Sequence, residues 1–411
     1  MQVIVIGCGI VGVSCAIWLQ RAGHAVTILD RAGPAAGTSH GNAGILASAA
    51  VVPVATPGIA RKAPGMLLNP EVPLFLRWPY LPRALPHFAR LLPESRDNRV
   101  RRYGQAMAAL IHDSHAQHMA LAGGTGAERF VVGGDYAFGY TDRAEFEADA
   151  YAWEKRRAAG VAHEVLDGAA ARAFDPALGA GFGVIVRCPD HGHITDPGAY
   201  VGALAAHFED EGGTLLRATL RDVTPGRPVR LTTDQGPMEA DRLVLASGVW
   251  SKDLARRLGL RVPLESERGY HLDFANPSVQ LRGPIMVNRA KFALTPMQGR
   301  LRAAGIVEYG GLRAGPSRAP LALLRRKVAE VLPDLRYDDV VEWMGHRPVT
   351  PDSLPLLGAT DPEGTCLSAF GHQHLGLTAG PRSGRIIADL ISGRAPNIDL
   401  SPYDPRRYVR R

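Results

Sequence analysis

Four cysteines in 411 residues are few, and their placement excludes more than their number does. Cys8, Cys15, Cys188 and Cys366 form no C-x-x-C pair and no metal-ligand spacing, so no iron–sulfur centre is encoded and no metal is expected. The same scarcity fits a reducing compartment rather than a disulfide scaffold. No run of about 18 apolar residues occurs, so no membrane-spanning helix is expected. A core strand begins at residue 2, so no signal peptide is expected and the reading is cytoplasmic. There is no internal repeat and no low-complexity tract. Nucleic acid is not an expected partner, because no recognised binding module accompanies the net charge of +7. Much of that charge is arginine, including Arg406, Arg407, Arg410 and Arg411 in the tail. It reads as solvated surface, with attraction to anionic lipid or anionic substrates as the alternative. What the chain does have is 46% hydrophobic residues against 21% charged, over a length that suits two domains.

The strongest local signal is at the start. Residues 3–12 read Val-Ile-Val-Ile-Gly-Cys-Gly-Ile-Val-Gly, and a second apolar run ends at Asp30. A buried strand feeding Gly7, Gly9 and Gly12 predicts a tight turn, a close backbone approach to a pyrophosphate, and close helix–strand packing, in that order. The helix, expected over Val13–Ala22 with Gly23 behind it, would turn its positive end to the phosphates. Asp30 is placed to accept from a ribose hydroxyl.

Further along, residues 33–65 suit a loop lying against a cofactor. Residues 66–103 mix apolar, proline and arginine residues, and proline argues against long helices there. A helix is expected from about Arg99 to Ala122, a strand pair with a glycine turn over 129–140, and one amphipathic helix over Asp142–Ala159. Another helix starts at Thr195-Asp-Pro-Gly and runs to about Gly212. Strands are expected at Thr214–Val223, Val229–Thr233, Asp241–Ala246, Tyr270–Phe274, Arg300–Val307 and Cys366–Phe370, with helices at Ala319–Val331 and Gly380–Ser392.

Four further signatures carry chemistry. Ser247-Gly-Val-Trp-Ser follows a buried strand, so Gly248 and Trp250 sit at a tight turn. Thr38-Ser-His-Gly-Asn-Ala-Gly-Ile offers hydroxyls at Thr38 and Ser39 and a small Asn42-Ala43-Gly44-Ile45 stretch on which a flat ring can lie. Gly345-His-Arg-Pro-Val-Thr-Pro-Asp brings Arg347, whose planar guanidinium suits a carboxylate. Phe370-Gly-His-Gln-His-Leu-Gly-Leu-Thr then leads into the last helix. Together these motifs resemble the D-amino-acid oxidase and glycine oxidase class of flavoproteins. Arg268-Gly-Tyr-His-Leu and the Lys291-Phe-Ala-Leu-Thr-Pro stretch are similar to bacterial FAD-dependent D-amino-acid dehydrogenases.

The resemblance implies an α/β fold: a Rossmann-like, glutathione-reductase-like FAD-binding domain with an interleaved α+β substrate domain. It places the FAD domain at 1–50, 196–260 and 345–398, the substrate cap at 51–195 and 261–344, and a basic tail at 399–411. It implies non-covalent FAD, because no cysteine stands near Gly345, with His346 as the nearby exception to watch. FAD contacts are expected from Gly7, Gly9, Ile10, Val11, Gly12, Asp30, Arg31, Thr38, Ser39, Asn42, Ala43, Gly44, Ile45, Val223, Gly248, Trp250, His372, Leu375, Gly376, Leu377 and Thr378. Substrate contacts are expected from Arg347, Tyr270, His271 and His374. His374 stands where glycine oxidase carries a second arginine, so a two-arginine clamp is not expected, and no catalytic acid or base is assigned. The implied reaction passes the α-hydrogen of a D-amino or secondary amino acid to the flavin as hydride. Electrons then go to a quinone or another acceptor, with peripheral membrane contact through residues 66–103. The alternatives are an oxygen-using oxidase of glycine or sarcosine type and a flavin subunit of a larger dehydrogenase complex. Oligomeric state is not readable.

Overall fold

The computed structural model describes residues 1–178 and 181–408. Arg410 and Arg411 lie outside the described residues. Two sheets divide the molecule. The first is six-stranded, in the order Leu356–Ala359, Cys366–Phe370, Arg242–Leu245, Gln2–Ile6, Ala25–Asp30, Thr214–Arg217. All its pairs are parallel except the Leu356–Ala359 edge. Val3, Val5, Ile28 and Val244 are buried in it, as continuous apolar strands covered on both faces should be. Helices Ile10–Arg21 and Gly376–Ile391 cover one face. They cross closely because Gly384 has no side chain: a Cβ there would come within 2.5 Å of the Ser14 carbonyl carbon.

The second sheet is larger and mixed. Its path runs Asp339–Val349, Glu265–Ala275, Arg300–Tyr309, Phe292–Met297, Ile285–Val287, Val131–Tyr140, Val184–Ile194, Glu164–Asp167, with Leu74–Leu76 paired to Arg300–Tyr309. A separate three-stranded sheet holds Leu220–Thr224, Val229–Thr233 and Gly236–Ala240, the last of which has no counterpart among the expected strands.

Several expected elements differ. The first helix begins at Ile10, so Gly12 lies inside it. The 129–140 segment holds one strand, not a pair: its register against Val184–Ile194 shifts at a bulge between Gly134 and Tyr136. Prolines do not prevent a long helix at Leu81–Glu94. Pro82 sits in the first turn, where no intrahelical donor is lost, whereas Pro86 and Pro93 lie inside the helix and each removes one N–H from its ladder. The Arg99–Ala122 helix is broken into Asp97–Ile111 and Ser114–Ala122 at Asp113, whose carboxylate is drawn to Gln117 and Arg382. The Asp142–Ala159 helix breaks at Asp149, which accepts the Tyr140 hydroxyl at 2.8 Å.

Two segments pack on the first sheet's layer or its edge. Tyr103, Met107, Leu110 and Leu121 share one buried core with Val13, Ile17 and Ile387, so the 97–122 helices rest on the first sheet's layer. The tail docks as well: Tyr403 is fully buried and donates to the Ala106 carbonyl, and Arg407 pairs with Asp352 at 2.7 Å.

Candidate active site

Between the two sheets runs a cavity of about 810 Å³. One end is the turn after the first strand. Gly7 has φ +111 and gives its N–H to Leu29 O at 2.9 Å. Gly9 caps the following helix with no side-chain hydrogen bond, and the first turn carries no acid. A helix start with no side-chain cap of its own and no acid in its first turn suits an anion. The Ser39 hydroxyl already sits there, accepting the Ile10 N–H at 2.9 Å. A Cβ at Gly12 would overlap the Gly7 carbonyl oxygen, so glycine is what lets helix and turn meet. Asp30 holds the turn with both oxygens: Oδ2 accepts from Cys8 N–H at 2.9 Å, and Oδ1 from Ala32 and Gly33. A carboxylate has about four acceptor sites, so capacity for a ribose hydroxyl remains. Arg31 lies over the Trp250 ring, 4.5 Å from its centroid.

The middle of the cavity is the 38–47 loop against the start of the last helix. Thr38 donates to His346 O at 2.8 Å. The Asn42 side chain closes its own turn, accepting from Gly44 N–H at 2.8 Å. Thr378 ties this loop to the helix, donating to Ile45 O at 3.3 Å while accepting from Ala47 N–H at 3.2 Å. That helix starts at Gly376, four residues earlier than expected from sequence, so its N-terminal N–H groups open onto the cavity beside the loop. Trp343 is wedged between Gly41 and Gly345, where a Cβ on either glycine would overlap the indole.

The far end carries Arg347. Its Nη1 donates to Glu267 Oε1 and Ile306 O, both at 3.1 Å, and Nη2 donates to Gly305 O at 3.4 Å. Guanidinium has five N–H donors, so Nε–H and one Nη2–H remain, the pair that takes a carboxylate side-on. His374 lines the same end. His374 is accessible from the cavity; desolvation by the surrounding walls, with Arg347 nearby, pushes its ring down to about 4 and favours the neutral form. Tyr270 lines the wall, but its hydroxyl is turned inward to Glu308 at 2.5 Å and Ser317 N–H at 3.1 Å.

Every residue expected at the cofactor lines this cavity except Gly12 and Val223. Gly12 lies behind the turn, and Val223 is buried in a neighbouring apolar cluster while Ala218–Arg221 form the rim. Among the expected substrate residues, His271 does not line it. Strand alternation sends its ring to the opposite face from Tyr270. There it stacks on Trp343 at 5.0 Å and bonds Gly41 O at 2.9 Å. His346 also stays off the cavity lining and bonds Ser266 at 2.8 Å. Sequence reasoning missed Glu267, Trp343, Arg156 and, as a side chain rather than a motif letter, Lys291, all of which line the cavity. Among the described residues no acidic, histidine or cysteine cluster could hold a metal.

The buried histidines set an acid limit. Desolvation pushes His118, His193 and His271 down to about 4 and His372 to about 3. The unfolded chain protonates them near 6.5 while the fold keeps them neutral. Stability is therefore unaffected above pH 6.5 and is lost as pH falls through 6.5 toward 4, by at most about 1.4 kcal/mol per unit per ring. The melting temperature is expected to fall steeply between pH 6.5 and 4.5; a flat profile there would contradict neutral burial of these rings.

Comparison with known proteins gives one answer. The FAD-dependent oxidoreductase (DAO) family profile matches residues 2–390. A D-amino-acid oxidase of Bradyrhizobium diazoefficiens is 38% identical over 419 residues, covering 99% of each chain. A D-amino acid dehydrogenase of Rhizobium johnstonii is 34% identical over 428 residues, covering 99% of this chain and 100% of its own. Among solved structures, glycine oxidase from Geobacillus kaustophilus superposes with a TM-score of 0.75 at 22% identity over 99% of both chains.

Proposed function

Because the chain belongs to the DAO family of FAD-dependent oxidoreductases and oxidises amino acids, we propose that its substrate is a D-amino acid or a secondary amino acid whose carboxylate is taken by Arg347. The observation that carries this reading is the free edge of Arg347, held by Glu267 and two backbone carbonyls at the far end of a cavity that begins at an uncapped helix start. The residues present fit FAD: the Gly7–Ile10 turn and Ser39 for its phosphates, Asp30 for its ribose, and the 42–47 loop with the last helix for its ring. Attachment is read as non-covalent, since the four cysteines and His346 are off the cavity lining.

When bound, FAD supplies the hydride acceptor. The chain's own part is placement. Arg347 fixes the carboxylate, neutral His374 leaves the neighbouring space uncharged, and Trp343 with Tyr270 walls the cavity against water. The positive end of the Gly376–Ile391 helix favours negative charge at the 42–47 loop. Anaerobic bleaching of the flavin by D-alanine, D-proline, hydroxyprolines, glycine and sarcosine tests the reading: bleaching by at least one D- or secondary amino acid is expected, and bleaching by none would sink it. The same assay on the purified chain excludes an obligate partner subunit if it succeeds.

The electron acceptor is read as a quinone or dye rather than oxygen. Support comes from residues 59–94, where Leu68, Trp78, Leu85 and Leu92 are exposed beside Arg61, Lys62, Arg83 and Arg90. Exposed apolar side chains among cations are the pattern of a helix seated on an anionic membrane face. No described helix is long and apolar enough to cross one. Flotation with phosphatidylglycerol vesicles is expected to carry the protein upward, and the double change Trp78→Ser, Leu85→Ser to leave it at the bottom. Peroxide formation as fast as dye reduction would instead favour an oxygen-using oxidase.

A further inference from the structure

The cavity has a second cationic wall that the carboxylate anchor does not use. Arg156, on helix Ala150–Ala158, and Lys291, in the left-handed turn before strand Phe292–Met297, both line it. Arg156 is packed over Phe138 and Trp153, 4.5 Å from each ring centroid, and its side chain is 11% exposed. Its Nε and Nη1 are sealed inside the protein without a hydrogen-bond partner among the described residues, which leaves the Nη2 edge to face the cavity. Asp149 pairs with Nη1 at 3.6 Å and also accepts the Tyr140 hydroxyl. Lys291 makes one hydrogen bond, to Asn288 at 2.7 Å. The acids in its field, Asp149 and Glu145, do not line the cavity. The cavity side of this wall is therefore cationic, with donors unspent.

A guanidinium edge and an ammonium that open on the cavity are donors for an anionic ligand. Gly305 fixes this wall's position relative to the anchor. Its carbonyl accepts from Arg347 Nη2 at 3.4 Å, and a Cβ on it would lie 3.0 Å from the Lys291 carbonyl. Arg347 and the Lys291 turn thus flank one residue of the Arg300–Tyr309 strand. Apolar Phe138, Met286 and Ala293 line the same cavity. A ligand held by its α-carboxylate on Arg347 shares one cavity with these apolar side chains and with Lys291 and Arg156.

We propose that Lys291 and Arg156 form a second anion site for the far end of the substrate, so that the preferred substrates are amino acids whose side chain ends in a carboxylate. The proposal rests on Arg347 holding the α-carboxylate.

Non-reacting acids of matched length separate the two claims. Dissociation constants of butyrate, succinate and glutarate are read on the FAD-loaded protein from the change in flavin absorbance and from competitive inhibition. At least one diacid is expected to bind ten times more tightly than butyrate, beyond the twofold advantage of having two equivalent ends. Lys291→Met and Arg156→Met are expected to bring that ratio down toward two, whereas Lys291→Arg keeps it. A ratio is used because general damage to the cavity weakens both acids alike. Butyrate binding with no diacid advantage overturns the second site and leaves the anchor standing, as does an advantage that survives both methionine variants. Failure of all three acids to bind is a failure of the anchor itself.

Discussion

Gly12→Val is expected to yield a protein without flavin. The Cβ of any residue there overlaps the carbonyl oxygen of Gly7, and neither side can give. Gly7 is held by its N–H to Leu29 O at 2.9 Å and by a φ of +111. Gly12 is two positions into a helix whose other face is pinned by Gly384 against the last helix. Overpacking of a core side chain costs typically about 1–3 kcal/mol, and here the obstacle is backbone, which relaxes least. The helix must lift from the strand, taking the Ile10 N–H away from Ser39 and the phosphate position. Flavin absorbance at 450 nm per mole of purified protein should fall more than tenfold, with a lowered melting temperature. Gly23→Ala is the control: φ is +83 but nothing lies within 4 Å of its Cβ, so only about 1–2 kcal/mol of backbone strain is added and flavin should remain. A yellow Gly12→Val protein of normal stoichiometry would refute the packing argument.

The two glycines also show which parts of the fold were legible. Gly7, Gly9, Gly12 and Asp30 form a local pattern, because one strand, one turn and one helix specify it within about 30 residues. The Thr38–Ile45 and His372–Thr378 segments were legible as motifs, but their mutual contact was not. Thr378 reaching Ile45 is a long-range event that neither segment encodes alone. Arg347 could be named as a carboxylate ligand from its residue type, yet its fixing by Glu267, Gly305 and Ile306 needs three adjacent strands to be in register. His271 went wrong for a simpler reason: the expected strand was right, and alternation along it sends Tyr270 and His271 to opposite faces. Arg156 stayed hidden because a cation on an amphipathic helix normally faces water. Only the stacking of Phe138 and Trp153 beneath it turns that cation toward the cavity.

Arg347→Met should raise KM for every carboxylate substrate. Truncating one member of a buried charge pair costs about 2–5 kcal/mol, which corresponds to roughly 30-fold to several thousand-fold in kcat/KM. Two effects are mixed in that number. One is the lost substrate contact. The other is the stranding of Glu267, 5% exposed in its side chain, whose partner has gone. Separating them takes two more variants. Glu267→Gln keeps a hydrogen-bond acceptor for Nη1 while Gly305 and Ile306 still hold the guanidinium, so the carboxylate edge survives and KM should change far less than in Arg347→Met. Arg347→Met combined with Glu267→Gln removes the stranded charge, so stability should recover while KM stays high. An amino-acid amide, lacking the carboxylate, gains little from Arg347 and should lose little in its absence. If KM for carboxylates is restored in the double variant, the arginine acts on the fold and not on the substrate. If it stays high there and the amide is indifferent to the change, Arg347 is the group that holds the substrate to the cavity wall.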